Sequence, residues 1–240
     1  MMIGVNKLST IPCRAEASDR SEMVTQLLYG ESFDILEERE KWLRVRGHRD
    51  SCESWITREQ FFPIDSVLPR TVWKAWNGCF MCPKGFQIDL SPGSLLSTDE
   101  MDSVLKDPAS PTSVGNDIYS NAKSFLGTPY LWGGRSKWGI DCSGFTQILH
   151  YCEEIDLPRN ASEQATIGEK VAFEARKAGD LAFFINKDNI VTHVGLLLDK
   201  ENIIHASGWV RIDTLDQNGI FKAEIKKYSH TLSHIQRVRV

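Results

Sequence analysis

Three features that would place a protein in a membrane, on nucleic acid or in a secretory pathway are missing from this chain of 240 residues. No run approaches the ~18 apolar residues that a membrane-spanning helix needs. Positive charge is not in excess, because the formal net charge is -4 at pH 7. The start of the chain lacks the basic and then apolar pattern of a secretory signal. We therefore expect a cytoplasmic monomer that binds neither nucleic acid nor membrane.

Cysteine is also sparse, with six residues scattered unevenly along the chain. Only Cys79 and Cys82 form a CxxC pair, and the second pair of ligands that a structural zinc site normally needs does not lie nearby. The uneven spacing is typical of reduced thiols rather than of a disulfide framework. The sequence therefore predicts no metal site and no cofactor, and it predicts small packed thiols at every cysteine except Cys142.

The chain divides by composition into three parts. Short β-like runs broken by turn residues predict a small all-β barrel over residues 1–66. Residues 67–112 are a connector that is first rich in aromatic side chains, which indicates packing, and then rich in serine and proline. Residues 113–240 are predicted to form a second domain.

Helical patterns open this second domain and β-like runs complete it. Asn116 or Asp117 can cap a first helix, and a second helix starts at Cys142 with apolar residues at a 3.6-residue spacing. Pro158 ends that stretch, and apolar β-like runs follow until the end of the chain. Helices packed on an antiparallel sheet predict an α+β fold.

Cys142 lies where the glycine-rich loop of residues 127–134 runs into the second helix. A thiol attacks a carbonyl group only as its thiolate, which is scarce at neutral pH for an isolated cysteine. The unpaired N–H groups and the dipole of a helix N-terminus favour negative charge, and a nearby histidine can share the proton. This position therefore indicates a nucleophile rather than a packing residue.

Two of the six histidines, His193 and His205, interrupt otherwise apolar β-like runs. An unpaired polar ring is costly there, although a core histidine satisfied by the backbone is a common alternative for either one. His150 lies about two turns into the cysteine helix, too far from its start to reach the thiol. The remaining histidines lie in polar stretches: His48, His230 and His234. We predict His193 as the base and His205 as the group that fixes its tautomer, which is the layout of a papain-like thiol hydrolase.

Two residues near the thiol have a chemical and a structural interpretation. Asp141 can cap the helix, or its carboxylate can receive a substrate amide or amine. Tyr130, in the glycine-rich loop, can donate its hydroxyl to a developing oxyanion. For Trp138 in the same region, packing is the preferred interpretation.

Six short blocks together resemble the NlpC-type bacterial cell-wall peptidases. They are YLWGG at 130–134, DCSGF at 141–145, LPR at 157–159, GDL at 179–181, THVG at 192–195 and IHAS at 204–207. The resemblance covers about residues 115–240. It implies a papain-like fold that cleaves γ-D-glutamyl–diamino acid bonds in peptidoglycan stem peptides. It also implies Cys142 as nucleophile, His193 as base, His205 as third member and Tyr130 near the oxyanion.

The N-terminal part resembles a bacterial SH3-like domain. The motifs that carry this resemblance are RAE at 14–16, SEMVTQLLYGE at 21–31, Trp42 and SWI at 54–56. The likeness is to the domain fused to the intracellular, recycling branch of the family, where the barrel closes one end of the cleft. Only peptides with a free N-terminal L-Ala then fit. A buried acidic group facing the ammonium would give this selectivity a physical basis, and by position Glu16 is expected to be that group, with a solvated turn glutamate as the alternative.

Further substrate contacts are implied by the same resemblance. It suggests substrate-binding side chains at Asp141, Ser143, Trp55, Trp132 and Ser162, the last of them near the D-glutamate carboxylate. One departure concerns the stretch before Ser54, which reads RDSCE at 49–53 and lacks the tyrosine that the family carries there. Either a different side chain lines the amine pocket or the end selectivity is looser.

These patterns together predict a cysteine peptidase that acts on a small peptide, the muropeptide stem L-Ala-γ-D-Glu-diamino acid, during cell-wall recycling. Whether the diamino acid is diaminopimelate or lysine stays open. One alternative is a hydrolase whose barrel tethers it to intact peptidoglycan. Another is an amidase or acyltransferase on the same fold, because its nucleophile and base would be the same.

Overall fold

The computed structural model describes residues 2–82, 85–105 and 117–238, and its first domain is built from short antiparallel strands. The strands are β1 (Ile3–Val5), β2 (Thr10–Arg14), β3 (Met23–Leu28), β4 (Ser32–Glu38), β5 (Trp42–Gly47), β6 (Glu53–Thr57) and β7 (Pro63–Ile64), with a 3-10 turn at Arg58–Gln60. They form one sheet in the order β3-β2-β6-β5-β4-β1-β7. Alternate residues of β4 and β5 are buried, as a strand with one face in a core requires. The predicted all-β N-terminal unit is confirmed.

The connector is packed rather than extended. It contains β8 (Thr71–Val72), β9 (Cys79–Met81), β10 (Gln87–Asp89), β11 (Leu95–Leu96) and the helix α1 (Thr98–Ser103). The rings of Trp73 and Phe80 are buried together with Tyr29, which lies in the turn between β3 and β4. The Phe80 ring contacts the Tyr29 ring edge-on, at a centroid distance of 5.1 Å. Glu100 on α1 accepts the Tyr29 hydroxyl at 2.6 Å. The predicted boundary between residues 112 and 113 lies outside the described residues.

The two helices predicted for the second domain begin where the sequence places them, and a short helix that was not predicted follows them. They are α2 (Ile118–Ser124), α3 (Cys142–Cys152) and α4 (Ala161–Gln164), and a small hairpin of β12 (Arg135–Ser136) and β13 (Gly139–Ile140) precedes α3. Asp117 caps α2 by accepting the amides of Tyr119 and Ser120. Every side chain of α3 is buried, so this helix is the centre of the domain core. No helix in the described ranges is long and apolar enough to cross a bilayer.

The remaining strands form a sheet that closes on itself. They are β14 (Glu169–Val171), β15 (Leu181–Ile185), β16 (Val191–Leu197), β17 (Asn202–Ser207), β18 (Trp209–Asp216), β19 (Gly219–Lys222) and β20 (Lys227–Arg237), with a 3-10 turn at Phe173–Ala175. The order is β14-β20-β15-β16-β17-β18-β19, and β20 also pairs with β19. This second pairing is possible because β20 is 11 residues long: its first part pairs with β19 and its second part with β15.

Two apolar cores lie on the two faces of this closed sheet. Leu181 and Phe183 of β15 pack with α3 on one face, while Ala182 and Phe184 pack inside the closed sheet. This alternation follows from the period of two along a strand. Helices on one side of an antiparallel sheet confirm the predicted α+β class.

The barrel is joined to the second domain by buried polar contacts. Arg135 of β12 forms an ion pair with Glu31 at 2.9 Å, and their side chains are only 2% and 4% exposed. Arg135 also donates to the Gln26 carbonyl of β3. A broken buried pair leaves an uncompensated charge, which is strongly destabilising. The barrel is therefore fixed against the loop that leads to Cys142.

Candidate active site

Cys142 is the first residue of α3, and its surroundings explain why the helix begins there. Asp141 is the N-cap residue and accepts the amide of Gly144 at 2.7 Å. A side chain at Gly144 would place its Cβ 2.2 Å from the Gly134 carbonyl oxygen. Only glycine therefore lets the first turn of α3 lie against the glycine-rich loop, and this contact sets the position of the thiol.

The Cys142 sulfur lies against the strand that carries the predicted base. Its Sγ is 4.0 Å from the Thr192 carbonyl oxygen, and the Val194 amide also interacts with it. Thr192 and Val194 are the residues on either side of His193. Cys142 and His193 are 7% and 6% exposed, so both are nearly buried. The thiol at the start of α3 therefore contacts the backbone of β16 on either side of His193.

His193 and His205 are joined by a direct hydrogen bond. Nε2 of His193 lies 2.8 Å from Nδ1 of His205, and the two rings are nearly perpendicular. Nε2 of His205 in turn lies 2.9 Å from Oδ2 of Asp213 on β18. The three side chains form a chain of contacts from His193 through His205 to Asp213.

The carboxylate at the end of this chain fixes where its protons lie. Burial alone would raise the pKa of Asp213, but hydrogen bonds from His205 and Arg211 lower it overall, so the group is ionised. An ionised carboxylate only accepts, and therefore Nε2 of His205 donates to it. Nδ1 of His205 then accepts from Nε2–H of His193. The nitrogen of His193 left without a proton is Nδ1, which takes no part in the bond to His205.

Burial dominates the protonation of the two reacting groups. It raises the pKa of the Cys142 thiol to about 12, with the nearby Asp141 carboxylate acting in the same direction. Burial, followed by the neighbouring His205 and His230 rings, lowers the pKa of His193 well below its usual value. Burial and the Asp141 carboxylate therefore act against the thiolate that the helix N-terminus favours. The resting pair is thiol and neutral imidazole.

This protonation state predicts a specific pH dependence for modification of Cys142. A raised thiol pKa means that thiolate is scarce below that pKa, and a lowered His193 pKa means that imidazolium is scarce at neutral pH. We expect the rate of alkylation by iodoacetamide, followed at the Cys142 peptide by mass spectrometry, to rise through the alkaline range. A rate that is already constant from about pH 5 to pH 8 would instead indicate a preformed thiolate–imidazolium pair. Cys142→Ser gives the background from other cysteines.

Tyr130 lies beside the thiol at the edge of the sheet. Its amide donates to the Gly208 carbonyl, and neighbouring Pro129 pairs with Trp209 at the start of β18. Burial and the charges of Cys142 and Asp141 raise the pKa of the Tyr130 hydroxyl, which therefore stays protonated. The side chains of Trp132 in the same loop and of Trp209 at the start of β18 are 60% and 49% exposed.

The structure gives Asp141 the capping role and uses its oxygens within the protein. They accept from the amides of Gly133 and Gly144, from the Ser143 hydroxyl and from both terminal nitrogens of Arg159. Arg159 also donates to the Ser143 hydroxyl, and both side chains are buried. Neither Asp141 nor Ser143 therefore offers an unused acceptor at the surface, and their roles in substrate binding remain predictions.

The other predicted substrate residues differ in exposure. Glu16 is exposed in the turn between β2 and β3, so the expectation that it is a buried carboxylate is wrong. Trp55 is buried in the barrel, with the Arg39 guanidinium 4.3 Å from its ring. Ser162 is exposed near the start of α4. Trp132 is exposed, and its indole N–H donates to Glu22 of the barrel at 3.1 Å.

Four residues of this region were not identified as site residues from the sequence: Asp213, His230, Arg159 and Glu22. Asp213 completes the relay, and His230 stacks on His193 with ring centroids 4.1 Å apart. A local signal existed for Asp213, because a carboxylate in a strand with buried alternate residues needs a partner. His230 gave no such signal, since the residues around it are polar.

A helix that presents its first cysteine to an antiparallel sheet carrying the histidine defines a papain-like fold, here preceded by an SH3-like barrel. The family models agree with this division. Residues 127–228 match the NlpC/P60 family, and residues 13–61 match the bacterial dipeptidyl-peptidase Sh3 domain. The chain thus combines an NlpC/P60 domain with a dipeptidyl-peptidase SH3 domain, as the motifs predict.

Individual relatives show the same likeness. The chain is 38% identical over 98 residues to a γ-D-glutamyl-L-lysine dipeptidyl-peptidase of Bacillus cereus, a match that covers 40% of this chain and 29% of that protein. It therefore spans under a third of that relative. It is 26% identical over 247 residues to dipeptidyl-peptidase 6 of Lysinibacillus sphaericus, covering 85% and 88% of the two chains. A crystal structure of an NlpC/P60 family protein from Bacillus cereus has the same fold, with a TM-score of 0.80, 19% identity and 99% of each chain covered.

Proposed function

We propose that the protein is a cysteine peptidase that hydrolyses the γ-D-glutamyl–diamino acid bond of peptidoglycan stem peptides with a free N-terminal L-Ala. The observation that carries the proposal is the relay from Asp213 through His205 to His193, beside the Cys142 sulfur. The family of the domain and the names of its relatives support the same reaction.

The proposed reaction uses these groups in sequence. Cys142 transfers its proton to Nδ1 of His193 as the sulfur attacks the γ-carbonyl carbon of D-glutamate. The Tyr130 hydroxyl donates to the oxyanion that forms. The imidazolium of His193 then protonates the amine of the departing diamino acid, and water hydrolyses the thioester with His193 as the base. His205 and Asp213 keep the proton of His193 on Nε2 throughout.

The position of the barrel supports selectivity for a free peptide end. Gly133 lies so close to β3 that a Cβ there would be 2.3 Å from the Met23 carbonyl oxygen. Glu22, the residue before Met23, accepts the indole N–H of Trp132 on the catalytic loop. Glu22 is exposed, as Glu16 is, but its carboxylate contacts the catalytic loop, and we therefore assign the ammonium-binding role to Glu22 in place of Glu16. A blocked amine would leave this carboxylate without its charged partner.

A matched pair of substitutions tests this assignment. We expect wild type to cleave L-Ala-γ-D-Glu-L-Lys about two- to fivefold faster, in kcat/KM, than its N-acetylated form, since an exposed ion pair contributes at most about 1 kcal/mol. Glu22→Gln should reduce this ratio to near one, mainly by slowing cleavage of the free peptide. Glu16→Gln makes the same change at another exposed carboxylate of the same turn, and it should leave the ratio as in wild type. Equal rates of cleavage of both peptides by wild type would exclude a selection for the free N-terminal amine.

Product analysis tests the reaction itself. The free tripeptides ending in L-lysine and in diaminopimelate are incubated with the protein, and the products are identified by mass spectrometry. We expect L-Ala-D-Glu and the free diamino acid, and the faster substrate identifies the third stem residue. Release of ammonia or transfer of the acyl group to an added amine would instead indicate an amidase or an acyltransferase.

The buried contacts of the barrel argue against its use as a free tether to the wall. Glu31 and Arg135 join it to the catalytic loop, and Arg159 donates to Thr25 of β3. We accordingly propose action on released peptides in the cytoplasm, during recycling of the wall, and the six free cysteines suit a reducing compartment. Co-sedimentation with purified sacculi and cleavage of intact peptidoglycan would support the alternative of a wall-bound hydrolase.

A further inference from the structure

His230 covers one face of the predicted base, although the relay makes no use of it. Its ring is nearly parallel to that of His193, with an interplanar angle of 22° and a centroid distance of 4.1 Å. Phe184 of β15 contacts both rings, at centroid distances of 5.7 Å and 5.9 Å. Three aromatic rings from three strands thus meet inside one end of the closed sheet.

The backbone around His230 is built to bring it there. His230 pairs with Ile220 on β19, and the register of the two strands shifts just after this pair. A Cβ at Gly219 would lie 1.8 Å from the His230 carbonyl oxygen, and Gly219 has a φ of +140° that other residues rarely adopt. Glycine at 219 therefore permits the close approach of β20. The Ser229 hydroxyl, 2.9 Å from Nδ1 of His230, adds a hydrogen bond that orients the ring.

The three imidazoles could be taken for a metal site, because their nitrogen atoms lie within 4.8 Å of one another. Two observations argue for a stack instead. Nearly parallel rings direct their nitrogen lone pairs side by side rather than toward one point. His193 and His205 already use a nitrogen each in the hydrogen bond between them. The geometry suits a contact between ring faces, not a shared ion.

A stacked ring restrains the orientation of the His193 ring, which a single hydrogen bond does not do. The bond from Nε2 to His205 fixes one atom of His193 but leaves the ring free to pivot about it. A flat partner on the ring face restrains this pivot. When His193 becomes an imidazolium, the face of a neutral aromatic ring also stabilises the positive charge, an effect of the cation–π type.

His230 stays neutral in its position. Burial lowers the pKa of His230 to about 4, and its electrostatic interactions with His205 and Lys222 lower it as well. The Asp213 carboxylate raises this pKa, but by less. A neutral ring can stabilise the imidazolium of His193, whereas a second cation would repel it.

We propose that His230 is a positioning residue whose neutral ring holds the plane of His193 and stabilises the imidazolium formed when Cys142 gives up its proton. In this step the S–H bond of Cys142 breaks and an N–H bond forms on His193, while His230 neither gains nor loses a proton. The inference deepens the proposed peptidase function, but alkylation of Cys142 tests it without any peptide substrate.

The experiment compares ring and non-ring substitutions at position 230. His230→Phe keeps a flat neutral ring, and His230→Leu keeps apolar volume without one. We expect His230→Leu to slow both alkylation of Cys142 at pH 7.5 and kcat by about tenfold, whereas His230→Phe stays within about threefold of wild type. The matched control is His234→Ala, on the same strand, whose ring stacks on Phe183 instead. It should leave both rates unchanged, and thermal melting confirms that each variant is folded.

The outcomes separate this inference from the proposed function. Equal alkylation rates in wild type and His230→Leu would overturn it, and so would a loss in His230→Phe as large as in His230→Leu. A similar loss in His234→Ala would attribute the effect to the strand rather than to the stack, and would also overturn it. If the alkylation rates follow the expected order while no muropeptide is cleaved, the stacking role stands and the assigned substrate is wrong.

Discussion

Cys142→Ala is expected to lose essentially all release of L-Ala-D-Glu from the tripeptide, a fall in kcat of at least about a thousandfold. The sulfur is the atom that forms the acyl bond, and the structure offers no replacement within the same turn, since Ser143 is held by Arg159 and Asp141. The fold should be retained, because the cap on α3 comes from Asp141 rather than from the thiol. Single-turnover assays with mass spectrometry of the products measure the loss.

A second cysteine on the same helix supplies the control for this experiment. Cys152 is the last residue of α3 and is 1% exposed. Cys152→Ala removes the same atom from an equally buried place, so it should cost stability on the order of 1 kcal/mol and leave kcat within about twofold. Turnover by Cys142→Ala at a tenth of the wild-type rate or more would contradict the assignment of the nucleophile.

What the sequence predicts well is set by short-range patterns. Asp117 and Asp141 stand directly before apolar 3.6-residue stripes, and both prove to be side-chain caps of the helices that follow. Polar interruptions in apolar runs identify His193 and His205, and these two rings do meet. Such features depend on neighbours a few positions away, so the sequence alone carries them.

What the sequence does not predict depends on closure of the sheet. His230 reaches His193 because β20 pairs with both β19 and β15, and nothing near His230 in the chain indicates this double pairing. Burial has the same non-local origin. The start of a helix favours a thiolate at Cys142, whereas burial of the sulfur acts against it by raising its pKa. The role expected for Glu16 required a buried carboxylate, but the turn between β2 and β3 leaves Glu16 exposed.

Asp213→Asn is expected to lower kcat by about a hundredfold or more while leaving the size of the side chain unchanged. The carboxylate obliges Nε2 of His205 to carry a proton and so leaves Nδ1 of His193 free for the thiol. An amide both donates and accepts, so it permits the other tautomer of His205, which would leave His193 in the wrong state to take the proton. The amide also removes the negative charge that compensates the imidazolium. The measurement is kcat, together with the tautomer of His205 from nitrogen-15 spectra of the imidazole rings.

Glu224→Gln is the matched control, because it makes the same change in a carboxylate that accepts from the same nitrogen of Arg211. Arg211 donates to both Asp213 and Glu224, but Glu224 has no contact with His205 and its side chain is 49% exposed. Loss of an exposed ion pair costs at most about 1 kcal/mol of stability, so kcat should change by less than about threefold. If Asp213→Asn also stays within threefold of wild type, the proton on His193 is fixed without the carboxylate. The relay would then end at His205.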